Sequence, residues 1–186
     1  MEYKYIDLIP KPLLKDFVNN RVIPFVGAGF SKNADMPTEL SMPDWNELGK
    51  LAADEIPEYN YDNNAIDALS YYQDLYSRAK LVELLMKELH FGKIQPGITY
   101  EAFCNLFIGT ICTTNFDSLI EDSMTLLHRP VSVVVTEDRL TIGSNNESKI
   151  IKLHGDFNHP DKMVITEGYD FIFVYTVMTH YDGTTA

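Results

Sequence analysis

With 186 residues, 45% hydrophobic and 12% aromatic, the chain is long enough for one domain with a sizeable core and too apolar to be disordered. A formal net charge of −12 excludes broad nucleic-acid or anionic-membrane binding, which needs clustered Lys and Arg. Any anionic ligand must therefore be held by local backbone dipoles, against the global field. Met1 is followed by Glu2, Lys4 and Asp7 with no apolar h-region, and no apolar run approaches the ~18 residues of a membrane span. The expected setting is a reducing cytoplasm. Cys104 and Cys112, both in apolar runs around a Gly-Thr, read as buried free thiols, since a structural zinc site needs four ligands.

In chain order, residues 11–20 carry a helical apolar stripe at 13, 14, 17 and 18, with Pro12 near its start. A strand over 21–26 follows. Residues 32–44 form a polar, proline-punctuated loop that is either a functional lid or a surface insertion. Trp45 opens a helix to about Ile56 with Asp44 as N-cap. After a break at 57–62, helices are expected over about 63–77 and 79–91. The tyrosines at 71, 72 and 76 fit helix packing better than a base-stacking platform. The block from about 45 to 91 is thus a helical insertion between strands, placed to cover a site.

A short helix from Thr99 or Tyr100 to about Leu106 precedes a buried strand over 107–114, and a helix over 118–127 comes next. Strands are expected at 131–135 and 149–153, with a polar stretch between them. A short strand is expected at 163–166, and a helix at 167–178 despite its β-rich composition. Strand alternates with helix throughout, so the fold class is α/β, a mostly parallel sheet covered by helices on both faces. No repeat, linker or low-complexity tract divides the 186 residues, which read as a single domain.

Ligands of open parallel sheets bind beyond the carboxyl ends of the strands. Three expected strands end in chemically capable residues: Gly27-Ala28-Gly29-Phe30-Ser31, Thr113-Thr114-Asn115-Phe116-Asp117, and His154-Gly155-Asp156. The first is the sequence form of a strand turning into a helix, where glycines allow close ligand approach and free N–H groups favour an anion. Ser31 could donate to a phosphate or cap that helix. Two glycines also serve any strand-to-helix turn. His154 can take a proton near neutral pH or make one structural hydrogen bond. Asn115 can orient a ribose hydroxyl or a water, or cap the next helix, a role open to Asp117 as well. His154, Asp156 and His159 could be read as metal ligands, but nothing supplies a fourth, and no metal is expected. His128 and His180 look incidental.

These three segments, in this order, resemble the sirtuin-like NAD-binding superfamily, and within it the bacterial sirtuin-like NAD hydrolases of anti-phage defence. Met42-Pro43-Asp44-Trp45-Asn46-Glu47-Leu48 is a weaker fourth point of similarity. The resemblance covers about residues 20–170. It implies a Rossmann-like, sirtuin/DHS-like sheet that binds NAD as substrate, with the glycine stretch on the pyrophosphate. By the same resemblance, Asn115 and His154 are catalytic. Gly27, Ala28, Gly29, Phe30, Ser31, Thr114, Asp117, Gly155 and Asp156 are then the cofactor-binding positions, Asp117 on the ribose side.

The implied reaction cleaves the nicotinamide–ribose bond through an oxocarbenium-like transition state. It depletes NAD during infection, and further copies of the chain or other defence-system chains are the partners implied. A non-catalytic NAD or ADP-ribose module, or a degraded remnant, is the alternative. Ordinary sirtuin deacylases carry a four-cysteine zinc module after the His-Gly. No cysteine follows His154-Gly155, which disfavours deacylation. Family members also continue into further strands and a Gly-x-Ser segment. The resemblance therefore marks this chain as a truncated or frame-shifted member, or a fragment, with C-terminal strands missing and an apolar sheet edge left open.

Overall fold

The computed structural model describes residues 5–19, 21–106, 109–139 and 147–166. Four strands, β1 (Phe25–Val26), β2 (Thr110–Thr113), β3 (Val131–Val134) and β4 (Ser148–Lys152), form one sheet in the order β1-β2-β4-β3. All three pairings are parallel. Seven α-helices accompany them among the described residues: α1 (Lys11–Val18), α2 (Ala28–Ser31), α3 (Trp45–Asp54), α4 (Ala65–Tyr76), α5 (Arg78–Glu88), α6 (Ile98–Leu106) and α7 (Leu119–Leu126).

Register does the positioning. Val26 pairs with Thr113, and Thr113 with Lys152, so β1, β2 and β4 end in one row. The residues that follow each end therefore emerge side by side. β1 is shorter than the 21–26 expected from sequence. Pro24 has no N–H to give a ladder, and only its carbonyl pairs, accepting from Cys112 N at 2.9 Å.

Strand alternation sends Val26, Ile111 and Ile150 to one face, where they form a core with Tyr100 and Cys104 of α6 and Leu119, Ile120 and Met124 of α7. On the other face Cys112, Ile151 and Val134 form a buried row, and Phe25 at its end is 65% exposed. Both cysteines are free and buried, and burial raises both thiol pKa values.

A second core joins α3, α4 and α5 (Leu48, Leu69, Tyr72, Leu81, Leu85) to residues beyond the strand ends, including Phe116, Phe157, Met163 and Ile165. The start of α3 explains itself. Asp44 Oδ1 accepts from Glu47 N at 2.9 Å and Glu47 Oε2 accepts from Asp44 N at 2.7 Å, a reciprocal cap that contributes about 1 kcal/mol. Of the three tyrosines, only Tyr72 is buried in this module, while Tyr71 and Tyr76 are exposed and lie ring to ring with Tyr59 and Tyr72. Tyr72 is buried and donates to Glu55 Oε2 at 2.9 Å, and Tyr76 donates to Glu55 O at 2.6 Å. The Tyr72 phenol is pushed up to about 12, by burial first and by Glu55 next.

Residues 163–166 correct the sequence reading. They are not a strand: after a 3-10 turn at Pro160–Lys162 they run without a ladder, held by Val164 N donating to His154 O at 2.9 Å. Met163 and Ile165 are buried in the helical core, so their alternation serves packing against helices and not a pleated sheet. The helix expected at 167–178 lies outside the described residues.

Candidate active site

A cavity of about 710 Å³ opens beyond the row of strand ends. Its polar wall is Ser31, Thr114, Asn115, Asp117 and His154, drawn from all three strand exits. Met42, Pro43, Trp45, Leu48, Ile66 and Leu89 form much of an apolar wall, and Val164, Ile165 and Thr166 add to the lining. Residues of the helical block, Trp45, Leu48, Ile66 and Leu89, thus line the cavity. The 32–44 loop is a pinned wall and not a free insertion. Asp35 and Gln95 exchange backbone bonds at 2.7 and 2.9 Å, and His90 Nε2 donates to Ser41 O at 3.0 Å. Beyond it, Met42 is buried against the sheet-side core.

Asn115 is 8% exposed and spends both amide hydrogens, one on Gly27 O at 3.1 Å and one on Ser31 Oγ at 2.9 Å. The Gly27 carbonyl can only accept, which fixes the amide orientation. No donor among the described residues reaches Asn115 Oδ1, so that oxygen is the group Asn115 offers to the cavity. Its backbone N–H is held by Thr113 Oγ1 at 3.0 Å.

Ser31 corrects one expectation. It is the last residue of α2, so it does not cap that helix, and its hydrogen goes to Asp117 Oδ2 at 2.6 Å. It acts as the spacer between Asn115 and Asp117. Asp117 Oδ1 in turn accepts from Leu119 N at 3.2 Å, a turn bond that leads into α7, while the N-cap position itself is Ser118, so neither Asn115 nor Asp117 is the cap residue.

His154 is half-buried, its ring 6.4 Å centroid to centroid from Phe116. Burial lowers its pKa from the ordinary 6.5. The imidazole is therefore neutral at pH 7 and able to accept a proton.

The glycines divide into two kinds. Gly155 has φ +73°, and a Cβ there would lie 2.6 Å from Lys162 O, so the turn after His154 requires glycine. Nothing comparable constrains Gly27 or Gly29. Gly27 has an extended backbone with φ −121°, a Cβ on it would meet only Thr114 Oγ1 at 3.8 Å, and a Cβ on Gly29 would meet nothing within 4 Å. The fold itself has no need of either. Phe30 N returns to Gly27 O at 2.9 Å, while the amides of Ala28 and Gly29, in the first turn, have no intrahelical partner.

Two expected site residues point elsewhere. Phe30 stacks inward on Tyr100 and Phe103, with centroids 4.5 and 4.9 Å away. Asp156 is buried and accepts from His159 N at 2.9 Å and from His159 Nδ1 at 2.8 Å, closing its own turn. Among the described residues no group of three or more His, Cys, Asp or Glu could hold a metal.

Sequence reasoning missed what lies behind the polar wall. Tyr100 is fully buried, and among the described residues its hydroxyl finds no well-formed hydrogen bond, with Ser31 as its nearest polar neighbour; burial followed by the Asp117 charge raises its pKa, which Ser31 opposes. An orphan hydroxyl costs stability. Tyr100→Phe should accordingly raise the unfolding free energy by about 1 kcal/mol, read from urea denaturation. Arg78, at the start of α5, ties the helical module to the segment just before the cavity-lining Val164, through Pro160 O at 2.9 Å and Met163 O. No motif could have revealed either, since each is set by neighbours more than 60 positions away, Ser31 for Tyr100 and Pro160 for Arg78.

A family model described as a SIR2-like domain matches residues 109–181. That stretch runs from β2 through β4 and includes the Thr113–Asp117 and His154–Asp156 segments. The chain is 26% identical over 158 residues to the NAD(+) hydrolase ThsA of Acinetobacter baumannii (strain 532279), covering 83% of this chain and 31% of that protein. It is 25% identical over 161 residues to the NAD(+) hydrolase ThsA of Cytobacillus dafuensis, covering 86% and 31%. This chain thus spans about a third of the length of the curated relatives it matches. The parallel sheet with its strand-end cavity is the α/β, Rossmann-like arrangement expected of a sirtuin-like domain.

Proposed function

We propose that this chain binds NAD at the strand-end cavity and hydrolyses the nicotinamide–ribose bond. The observation that carries the reading is the Ser31–Asn115–Asp117 network beside a neutral His154, in one cavity at the ends of three parallel strands. The names of the two relatives support the same chemistry. A volume of about 710 Å³ lies within the range of small-molecule sites.

In this reading the Gly27–Gly29 backbone takes the pyrophosphate. Among the described residues the cavity is lined by no lysine or arginine, so amide dipoles do the holding. Asn115 Oδ1 accepts from a ribose hydroxyl or from the attacking water. The bond between the ribose anomeric carbon and nicotinamide breaks, and its electron pair leaves with nicotinamide. The water oxygen bonds to that carbon, and His154 takes the water proton and passes it to solvent. Trp45, Leu48 and Leu89 limit bulk water, which strengthens every polar contact around the developing cation. As the resemblance has it, the wider role is NAD depletion in anti-phage defence, in the cytoplasm and together with further copies or other chains of the system.

The deciding experiment is nicotinamide release from NAD by the purified chain, run beside an NAD-binding titration. Release supports the hydrolase. Binding without release would instead make this an NAD-binding module.

The unconstrained glycines give a sharper test of where NAD lies. Alanine is favoured over glycine in a helix by up to about 1 kcal/mol, and at position 29 it meets no protein atom. Gly29→Ala should keep or raise the thermal midpoint while weakening NAD binding about tenfold, because only a ligand occupies that space. Unchanged affinity would move the pyrophosphate away from α2.

A further inference from the structure

Lys152 ends β4, two positions before His154, and its side chain is 1% exposed. A lysine is almost never buried so completely unless it is paired. Its ammonium meets three acceptors: Phe116 O at 3.4 Å, Asp117 O, and Glu121 Oε1 at 2.9 Å in the first turn of α7. All three of its hydrogens are used. The two carbonyls belong to the residues that directly follow Asn115, one of them Asp117 itself.

Stability alone is a poor reason for this arrangement. A buried ion pair seldom does better than a well-packed apolar pair of similar volume, because both charges lose their water. Burial indeed raises the Glu121 pKa, and Lys152 only opposes that rise. What the pair does supply is direction. It turns two successive peptide carbonyls down toward β4, which leaves the Asn115 amide and the Asp117 carboxylate facing Ser31.

We propose that Lys152, with Glu121 as its counter-charge, is a positioning residue that clamps the Asn115–Asp117 loop for catalysis. The proposal rests on the hydrolase reading for its kinetic consequence and on geometry alone for its structural one. Thr113 Oγ1 fixes the loop on one side of Asn115 and Lys152 fixes it on the other. Because His154 follows Lys152 on the same strand end, the clamp also ties the base to the residue that orients its substrate.

The test separates stability from positioning. Lys152→Met/Glu121→Leu replaces the ion pair with apolar side chains, a gain opposed by the Phe116 and Asp117 carbonyls that lose their donor, so its thermal midpoint should stay close to that of the unsubstituted chain. Its kcat for nicotinamide release should nevertheless fall about 100-fold, with the KM for NAD within about threefold. A folded double variant that keeps full kcat would overturn the proposal.

Glu121→Gln keeps the volume and an acceptor oxygen, and gives a readout that needs neither turnover nor the double variant. The Asn115 side-chain amide hydrogens, held by Gly27 and Ser31, should exchange with solvent about tenfold faster in this variant. Unchanged exchange would also overturn the clamp. Faster exchange in a chain that releases no nicotinamide supports the clamp and sinks only the hydrolase.

Discussion

Replacing His154 by alanine should lower nicotinamide release by about 10²–10⁴-fold while NAD still binds, the usual loss on removing a general base. The geometry behind this is specific. His154 lines the cavity with Asn115, and the Phe116 ring, at 6.4 Å, is a loose neighbour of its imidazole. The pH dependence follows from the depressed pKa. A base must be neutral, so kcat/KM should be flat through pH 7 and fall only below the ordinary histidine value of 6.5. Stability follows the same group. The unfolded chain takes up the proton first as pH falls, so the contribution of His154 is complete above 6.5. It is lost between 6.5 and the depressed folded value. His154→Ala should remove the acid limb of the rate profile along with the rate. If binding and turnover vanish together, His154 is structural.

Asn115→Ala should cost both chemistry and stability. It strips Gly27 O and Ser31 Oγ of their donor in a buried setting, a loss of about 1–3 kcal/mol in unfolding free energy. Turnover should fall about 100-fold, because substrate or water loses its orienting acceptor and Ser31 is free to swing. Asn115→Asp sharpens the point. It keeps shape and an acceptor, but it cannot donate to Gly27 O and adds a negative charge near Asp117. Kinetics as poor as those of the alanine variant would assign the effect to the held geometry. A nearly active aspartate variant would show that an acceptor oxygen alone suffices.

The candidate site was legible because its residues sit in contiguous stretches. Strand periodicity located β2, β3 and β4, and each of the three motifs follows a strand, so convergence could be read before any contact was known. Asp44 and Glu47 declared the start of α3 by local rules. Local rules also misled. Met163-Val164-Ile165-Thr166 is a short apolar, β-branched run that reads as a strand, yet it pairs with no strand among the described residues and packs on α-helices instead. Ser31 sits where a phosphate ligand is expected, yet its hydrogen is claimed by Asp117, 86 positions along the chain.

The sequence alone therefore determined the fold class, the strand ends that matter and the residues able to do chemistry, because hydrophobic period and turn composition act over a few residues. Only the tertiary structure decided how those residues divide the work. It used both amide hydrogens of Asn115 within the fold, turned Phe30 and Asp156 away from the cavity, and freed Gly27 and Gly29 of any steric duty to the fold. It also buried Lys152 and Glu121 beneath the loop. The physical reason is that a side chain has few hydrogens and lone pairs to give, and which partner receives them depends on register between distant strands.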